Sequence, residues 1–209
     1  KTKTYGEADP ALTYTNGNGV KEEVPSFTGK LSRVEGEDVG DYAIQQNTVA
    51  LADNEESGFK AGNYVIAYTP NNLTISANGT LTVAGTSYEG TYDGDGHGEA
   101  ADTNVTKGTT ISYSTDGGKN WSTDVPKVTD VSEITVNVKA ENPNYVTATG
   151  SYTLKVNPAT ITVTAEAKTK TYGEADPALT YTNGNGVKEE VPSFTGKLSR
   201  VEGEDVGDY

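Results

Sequence analysis

The sequence predicts an all-β fold built from tandem modules, and three observations carry that prediction. Residues Lys1–Tyr42 recur without a change as Lys168–Tyr209, an offset of 167 positions, which marks a chain assembled from repeats. The composition holds 24 Gly and 13 Tyr against 3 Phe, with neither Met nor Cys, and so favours strands and turns over helices. Apolar and polar side chains alternate at a period of two in several segments, and no Gly-free stretch keeps the longer period of a helix.

A weaker repeat inside the long one sets the module borders. Thr160-Ile161-Thr162-Val163 is followed, about eleven residues after Ile161, by Tyr172-Gly173; Thr80-Leu81-Thr82-Val83 is followed at the same distance by Tyr92-Asp93-Gly94. The closing segments match as well, with Tyr64 before Ile75 and Tyr145 before Val156 at that spacing. Two related modules of about 87 and 80 residues therefore alternate, each the size of a small β-sandwich. The expected borders are 1–77 for a module short of its opening strand, 78–157 for a complete one, and 158–209 for the first part of the next. Pro158 fixes its own φ and restricts Asn157, which stiffens that joint.

Strands are expected wherever the alternation is clean. Ile134, Val136, Val138 and Ala140 alternate with Thr135, Asn137 and Lys139; Tyr152, Leu154 and Val156 do so with Thr153 and Lys155. Ile111 with Tyr113, and Tyr64, Ile66 and Tyr68, read the same way, while Ala52–Phe59 is the one segment expected to form a short helical turn. Asp38-Val39-Gly40-Asp41-Tyr42-Ala43 has the spacing of a tyrosine corner, in which a Tyr hydroxyl bonds back to upstream backbone; Asp38, Gly40 and Tyr42 are its structural residues. The modules are thus expected to be Ig-like β-sandwiches in an extended end-to-end array, with β-grasp-like modules as the alternative. Ala159–Tyr209 alone falls near the size below which a core cannot support itself, so the segment is expected either to be completed by another molecule or to be a slice of a continuous fibre.

Lys170-Thr171-Tyr172-Gly173-Glu174-Ala175-Asp176-Pro177, followed by Leu198-Ser199-Arg200 and Gly203–Tyr209, resembles the MBG domain of bacterial surface adhesins, the type with a Tyr-Gly motif. The copy at Lys3–Tyr42 continues that resemblance through Ala61-Gly62-Asn63-Tyr64 to Ile75. The middle module, with Tyr92-Asp93-Gly94, His97-Gly98, Tyr113–Gly118 and Asn142-Pro143-Asn144-Tyr145, resembles the YDG-like partner domains found beside MBG units. The resemblance implies a secreted or wall-attached extracellular protein in which such domains act as stalks or adhesive repeats, and it brings no catalytic residues.

Charge and motifs bound the chemistry. A net charge of -14 opposes phosphate backbones and anionic membrane surfaces, so nucleic acid and membrane insertion are not expected of this segment. With one His, no Cys and none of the nucleophile or phosphate-loop motifs, the sequence predicts no enzyme. Ser114-Thr115-Asp116-Gly117-Gly118-Lys119-Asn120-Trp121 has Asp-box spacing, in which Asp116 and Gly118 build a hairpin and Trp121 packs beneath it. Trp121 is also the candidate platform for stacking a sugar, which keeps a glycan or a host surface protein as an alternative partner. Asp93-Gly94-Asp95-Gly96-His97-Gly98 looks like a Ca2+ loop, but His97 and Asn104 stand where carboxylates are needed; no cofactor is expected, with Asp93 and Asp95 as sites of weak Ca2+ binding at most. Neighbouring repeats, or other copies of the chain through strand complementation, are the partners that repetition implies. The expected function is a non-enzymatic stalk or filament that projects a binding region.

Overall fold

The computed structural model describes residues 1–209 and is all-β, with a third of its residues in strands and only three 3-10 turns. The first part of the chain holds β1 (Thr2–Thr4), β2 (Ser26–Thr28), β3 (Ser32–Arg33), β4 (Gly40–Gln45), β5 (Ala50–Ala52) and β6 (Asn72–Ser76). The middle holds β7 (Val83–Ala84), β8 (Tyr88–Thr91), β9 (Asp102–Thr103), β10 (Thr110–Ser114), β11 (Ser132–Glu141) and β12 (Ala148–Asn157), and the last part β13 (Val163–Ala165) and β14 (Tyr181–Asn183).

Two four-stranded sheets follow one plan. In the order β1-β6-β4-β3, the opening strand lies parallel to the closing strand, with Lys3 opposite Ile75. In the order β10-β11-β12-β8, β8 lies parallel to β12, with Leu154 opposite Tyr88. A parallel pair cannot be closed by a tight hairpin, so in each case the intervening strands serve as the crossover. Pairs β2-β5, β7-β9 and β13-β14 are separate two-stranded ladders, all antiparallel.

Two compact units emerge, one gathering Lys1–Ala84, Asp102–Ser112 and Val138–Gly150, the other Gly85–Ala101, Tyr113–Asn137 and Ser151–Tyr209. The core of the first includes Ile44, Phe59, Leu73, Ile75, Leu81, Val138 and Ala140; that of the second includes Ala101, Tyr113, Val128, Val136, Tyr152, Leu154 and Val156. Along β11 and β12 the period-two pattern becomes burial directly, since Val136, Val138, Leu154 and Val156 are inside while Asn137 and Lys155 are not. Tyr152 pairs a buried ring with a buried hydroxyl that has no hydrogen-bond partner, and burial raises its pKa.

Two expectations about local structure need correction. Tyr64, Ile66 and Tyr68 form no strand: their burial alternates, but no ladder partner lies beside them, so the pattern reports which side faces solvent and not a sheet. Ala52–Phe59 forms no helical turn. A backbone bridge between Asn54 and Phe59, with N–H···O distances of 2.9 and 3.1 Å, closes it into a tight reversal, and the 3-10 turn sits just beyond at Ala61–Asn63.

Candidate functional site

Four charged residues pin the corner of the repeated sequence. Lys3, in the middle of β1, donates to Asp9 Oδ1 at 2.7 Å and to Glu37 Oε2 at 2.6 Å, with its side chain only 3 % exposed. Arg33, in β3, grips Asp9 through Nε at 2.6 Å and Nη2 at 3.1 Å, and also pairs with Glu37. Its remaining Nη1 donates to the carbonyls of Val34 and Gly36, and the guanidinium lies 5.1 Å from the centre of the Tyr42 ring. Gly36, at φ 145°, is required there because a Cβ would overlap that ring. Tyr42 Oη donates to Asp38 O at 2.8 Å, the tyrosine-corner bond, and Gly40 opens β4.

The charges shift one another as this geometry demands. Hydrogen bonds from Arg33, then Lys3, lower the Asp9 carboxyl from 3.8 to about 2; Lys3, then Arg33, lowers Glu37. A carboxyl whose pKa is depressed in the folded state adds stability above its unfolded value and loses it as pH falls through the folded one. Melting temperature is therefore expected to drop between about pH 4 and pH 2, and Asp9→Asn to flatten that limb while lowering the midpoint at pH 7. Identical acid limbs in the two proteins would show that the network contributes nothing.

The same network recurs in the second copy, where Lys170 bonds Asp176 and Glu204 at 2.6 and 2.7 Å and Arg200 Nε bonds Asp176 at 2.7 Å. Here the Lys and Arg side chains are 20 % and 21 % exposed, against 3 % and 9 % in the first copy. The corner is thus a local device of the repeated sequence.

Within the first unit, the Asn142–Val146 turn straps that corner. Asn144 Nδ2 donates to Asp38 Oδ1 at 2.7 Å, and Asn144 Oδ1 accepts from Val39 N at 2.8 Å. Backbone bonds run from Asn78 N to Asn144 O and from Val146 N to Asn78 O, at 3.0 and 2.9 Å, and Asn78 Nδ2 donates to Tyr5 O at 3.0 Å. The Tyr5 and Tyr145 rings meet edge to face with centroids 5.4 Å apart. Asn142 holds the turn itself, donating to Lys107 O and Thr109 Oγ1. Asn144→Ala removes two side-chain bonds worth about 0.5–1.5 kcal/mol each, so amide exchange at Val39 is expected to accelerate roughly tenfold with little change at Leu154.

Within the second unit, Tyr92 Oη donates to Glu190 Oε1 at 2.7 Å, while Lys188 Nζ reaches Gly94 O and Asp95 Oδ1, both at 2.8 Å. The two proposed Ca2+ ligands therefore face other partners: Asp95 the Lys188 ammonium, and Asp93 the His97 ring at 2.9 Å. His97, then the Asp95 backbone N–H, lowers the Asp93 pKa, and the His97 ring stacks on Tyr88 at 4.1 Å. No group of three or more His, Asp or Glu side chains converges anywhere in the chain.

Asp116 organises the hairpin around the Asp-box. It accepts from Lys119 N, Asn120 N and Asn120 Nδ2 at 2.9, 3.0 and 2.6 Å, and from Ser114 Oγ at 2.7 Å. Those donors, Asn120 first, hold its carboxyl down at about 2. Gly117 and Gly118 take φ of 77° and 86°, and Trp121, 38 % exposed as a residue, donates from Nε1 to Gly118 O at 3.0 Å. Pro158 lies exposed directly after β12.

Asp38, Gly40 and Tyr42 are brought together by the fold; Trp121, Asp93 and Asp95 join no shared cluster with them. No role for Lys3, Asp9, Arg33 or Glu37 was legible in the sequence, where Asn144 figures only within the Asn142–Tyr145 segment. No curated protein matches the chain. The family model for the MBG domain (YGX type) matches residues 1–74 and 161–209, more than half of the sequence, and leaves the middle segment outside the match. The Tyr-Gly pairs at Tyr5-Gly6 and Tyr172-Gly173 lie inside the two matched stretches, and the chain belongs to the MBG domain family, YGX type.

Proposed function

We propose that this chain is a non-enzymatic structural repeat of a secreted or cell-surface adhesin, acting as a stalk or filament that projects a binding region. The observation that carries the proposal is the Asn144 strap, since a turn that, with Asn78, is tied to Asp38, Val39 and Tyr5 of the repeat by three hydrogen bonds is a joint built for position. The family supports the coarser part: MBG domains occur generally in surface or adhesin-like proteins and are of a structural repeat type, not a known enzyme family. No helix of the chain is long and apolar enough to cross a membrane. On this reading 1–77 and 158–209 are successive MBG modules and 78–157 is a YDG-like partner between them.

Electron microscopy of chains carrying one, two and three full periods tests the stalk directly. Equal increments of contour length per added period are expected; particles that only thicken would overturn it. The second reading rests on Trp121, an aromatic residue 38 % exposed, as a stacking platform for a sugar. Glycan-array binding by the wild-type chain that disappears in Trp121→Ala would favour it over the stalk.

A further inference from the structure

Five Asn-Gly pairs stand in the chain, at 16–17, 18–19, 78–79, 183–184 and 185–186. Asn is a thermally labile residue, and a following Gly makes it more so, because no Cβ shields the backbone nitrogen that can attack its carboxamide. The fold decides which pairs are free to react. Gly19 N and Gly186 N donate to Glu23 O and Glu190 O, both at 2.7 Å, and Gly184 N donates to Thr162 O at 3.2 Å. Gly17 N and Gly79 N make no hydrogen bond. Asn16 Nδ2 reaches only the adjacent Gly17 O, whereas Asn78 lies at the strap.

Asn78 is poised for that attack by its own turn. Its Oδ1 accepts from Thr80 N at 2.9 Å, which curls the carboxamide over the Gly79 peptide and sets Cγ beside Gly79 N. Gly79 is exposed, its φ lies outside the left-handed region, and no atom comes within 4 Å of the place a Cβ would take. Neither backbone nor packing calls for glycine there, so what glycine changes at this position is the reactivity of Asn78. The same residue also holds the strap: Nδ2 donates to Tyr5 O at 3.0 Å, while its N and O pair with Asn144 O and Val146 N at 3.0 and 2.9 Å.

We propose that Asn78 is a spontaneous modification site, at which the chain converts an amide of its own joint to a carboxylate and so loosens the strap with age. Gly79 N attacks Asn78 Cγ: the N–Cγ bond forms, the Cγ–Nδ2 bond breaks, and Nδ2 leaves with the Gly79 proton as ammonia. Water then opens the succinimide at either carbonyl, to aspartate or isoaspartate, so the sum is Asn and water giving Asp and ammonia, with no oxidant or cofactor. The aspartate has no N–H for Tyr5 O and sets a charge against that carbonyl. The isoaspartate also adds a methylene to the main chain between the two groups that pair with Asn144 and Val146. The inference rests on the reading of the strap as a stalk joint and gives that joint a lifetime.

The test compares fresh full-length chain with the same chain aged in mildly alkaline buffer. Peptide mapping by mass spectrometry, separating aspartyl from isoaspartyl products, follows the modification, and amide exchange at Val146 follows the strap. Asn78 is expected to convert at least tenfold faster than Asn185 of the same molecules, whose Gly186 N is held. Gly79→Ala, which fits the open space, should slow conversion at least tenfold and leave exchange at Val146 in fresh protein unchanged. Aged wild type and fresh Asn78→Asp should both exchange at Val146 roughly tenfold faster than fresh wild type. Conversion of Asn78 no faster than that of Asn185, or only once the chain is unfolded, would overturn the proposal. Full conversion with exchange at Val146 unaltered would overturn it too. None of these failures alters the contour length gained per period, which tests the stalk reading alone.

Discussion

Phe59→Ala is expected to destabilise the first unit by about 3–5 kcal/mol, the range for truncating a buried aromatic ring. Phe59 is 1 % exposed and sits at the end of the Asn54 bridge, where its ring stacks on Tyr64 with centroids 4.8 Å apart. Tyr64 in turn donates to Glu23 at 2.8 Å and accepts from Val20 N at 2.9 Å, so it holds the turn in which Lys21 and Glu22 take left-handed φ of 56° and 63°. Losing the ring should therefore free two features at once: the reversal at 54–59 and the strained turn at 20–23. Chemical denaturation read by tyrosine fluorescence measures the first effect, and amide exchange at Val20 the second. A loss under about 1 kcal/mol would mean that the cluster is not the core assigned to it.

Leu154→Ala is the second large effect, about 2–5 kcal/mol for the second unit. Leu154 is fully buried in the interior of β12, opposite Tyr88 of β8. The strand cannot slide to compensate, because a one-residue slip would place Lys155 inside. Trp121 lies in the same unit and supplies a natural probe, so its fluorescence midpoint in denaturant should fall while the slope stays constant. Leu154→Ile, which keeps the volume, is expected to cost less than about 1.5 kcal/mol.

The strands that could be read from the sequence are those whose two faces differ. β11 and β12 carry Val136, Val138, Leu154 and Val156 on one face and Thr or Lys on the other, and their burial follows that pattern residue by residue. Tyr64–Tyr68 carries the same alternation without a ladder, since periodicity records a buried side and says nothing about whether a neighbour strand lies at the edge. The Asp38–Tyr42 corner was legible because its spacing reflects one local bond. Lys3, Asp9 and Arg33 were not, because their meeting depends on β1 and β3 converging across the module, and no local spacing encodes that. The identity of the two copies hides them further: every residue of the 42 recurs, so recurrence singles out none. Asn144 belongs to the same class, for its partners at Asp38 and Val39 lie more than a hundred positions away.

The claim on which this account rests is that a repeat and the turn strapped to its corner move as one body. Glu56 and Lys107 are both exposed and both in the first unit, and a chain without Cys accepts spin labels there through Glu56→Cys and Lys107→Cys. Pulsed electron resonance on that pair should return one narrow distance distribution, broadened when Asn144→Ala is added. A broad distribution in the labelled parent, unchanged by Asn144→Ala, would contradict a fixed joint and with it the reading of this chain as a stalk.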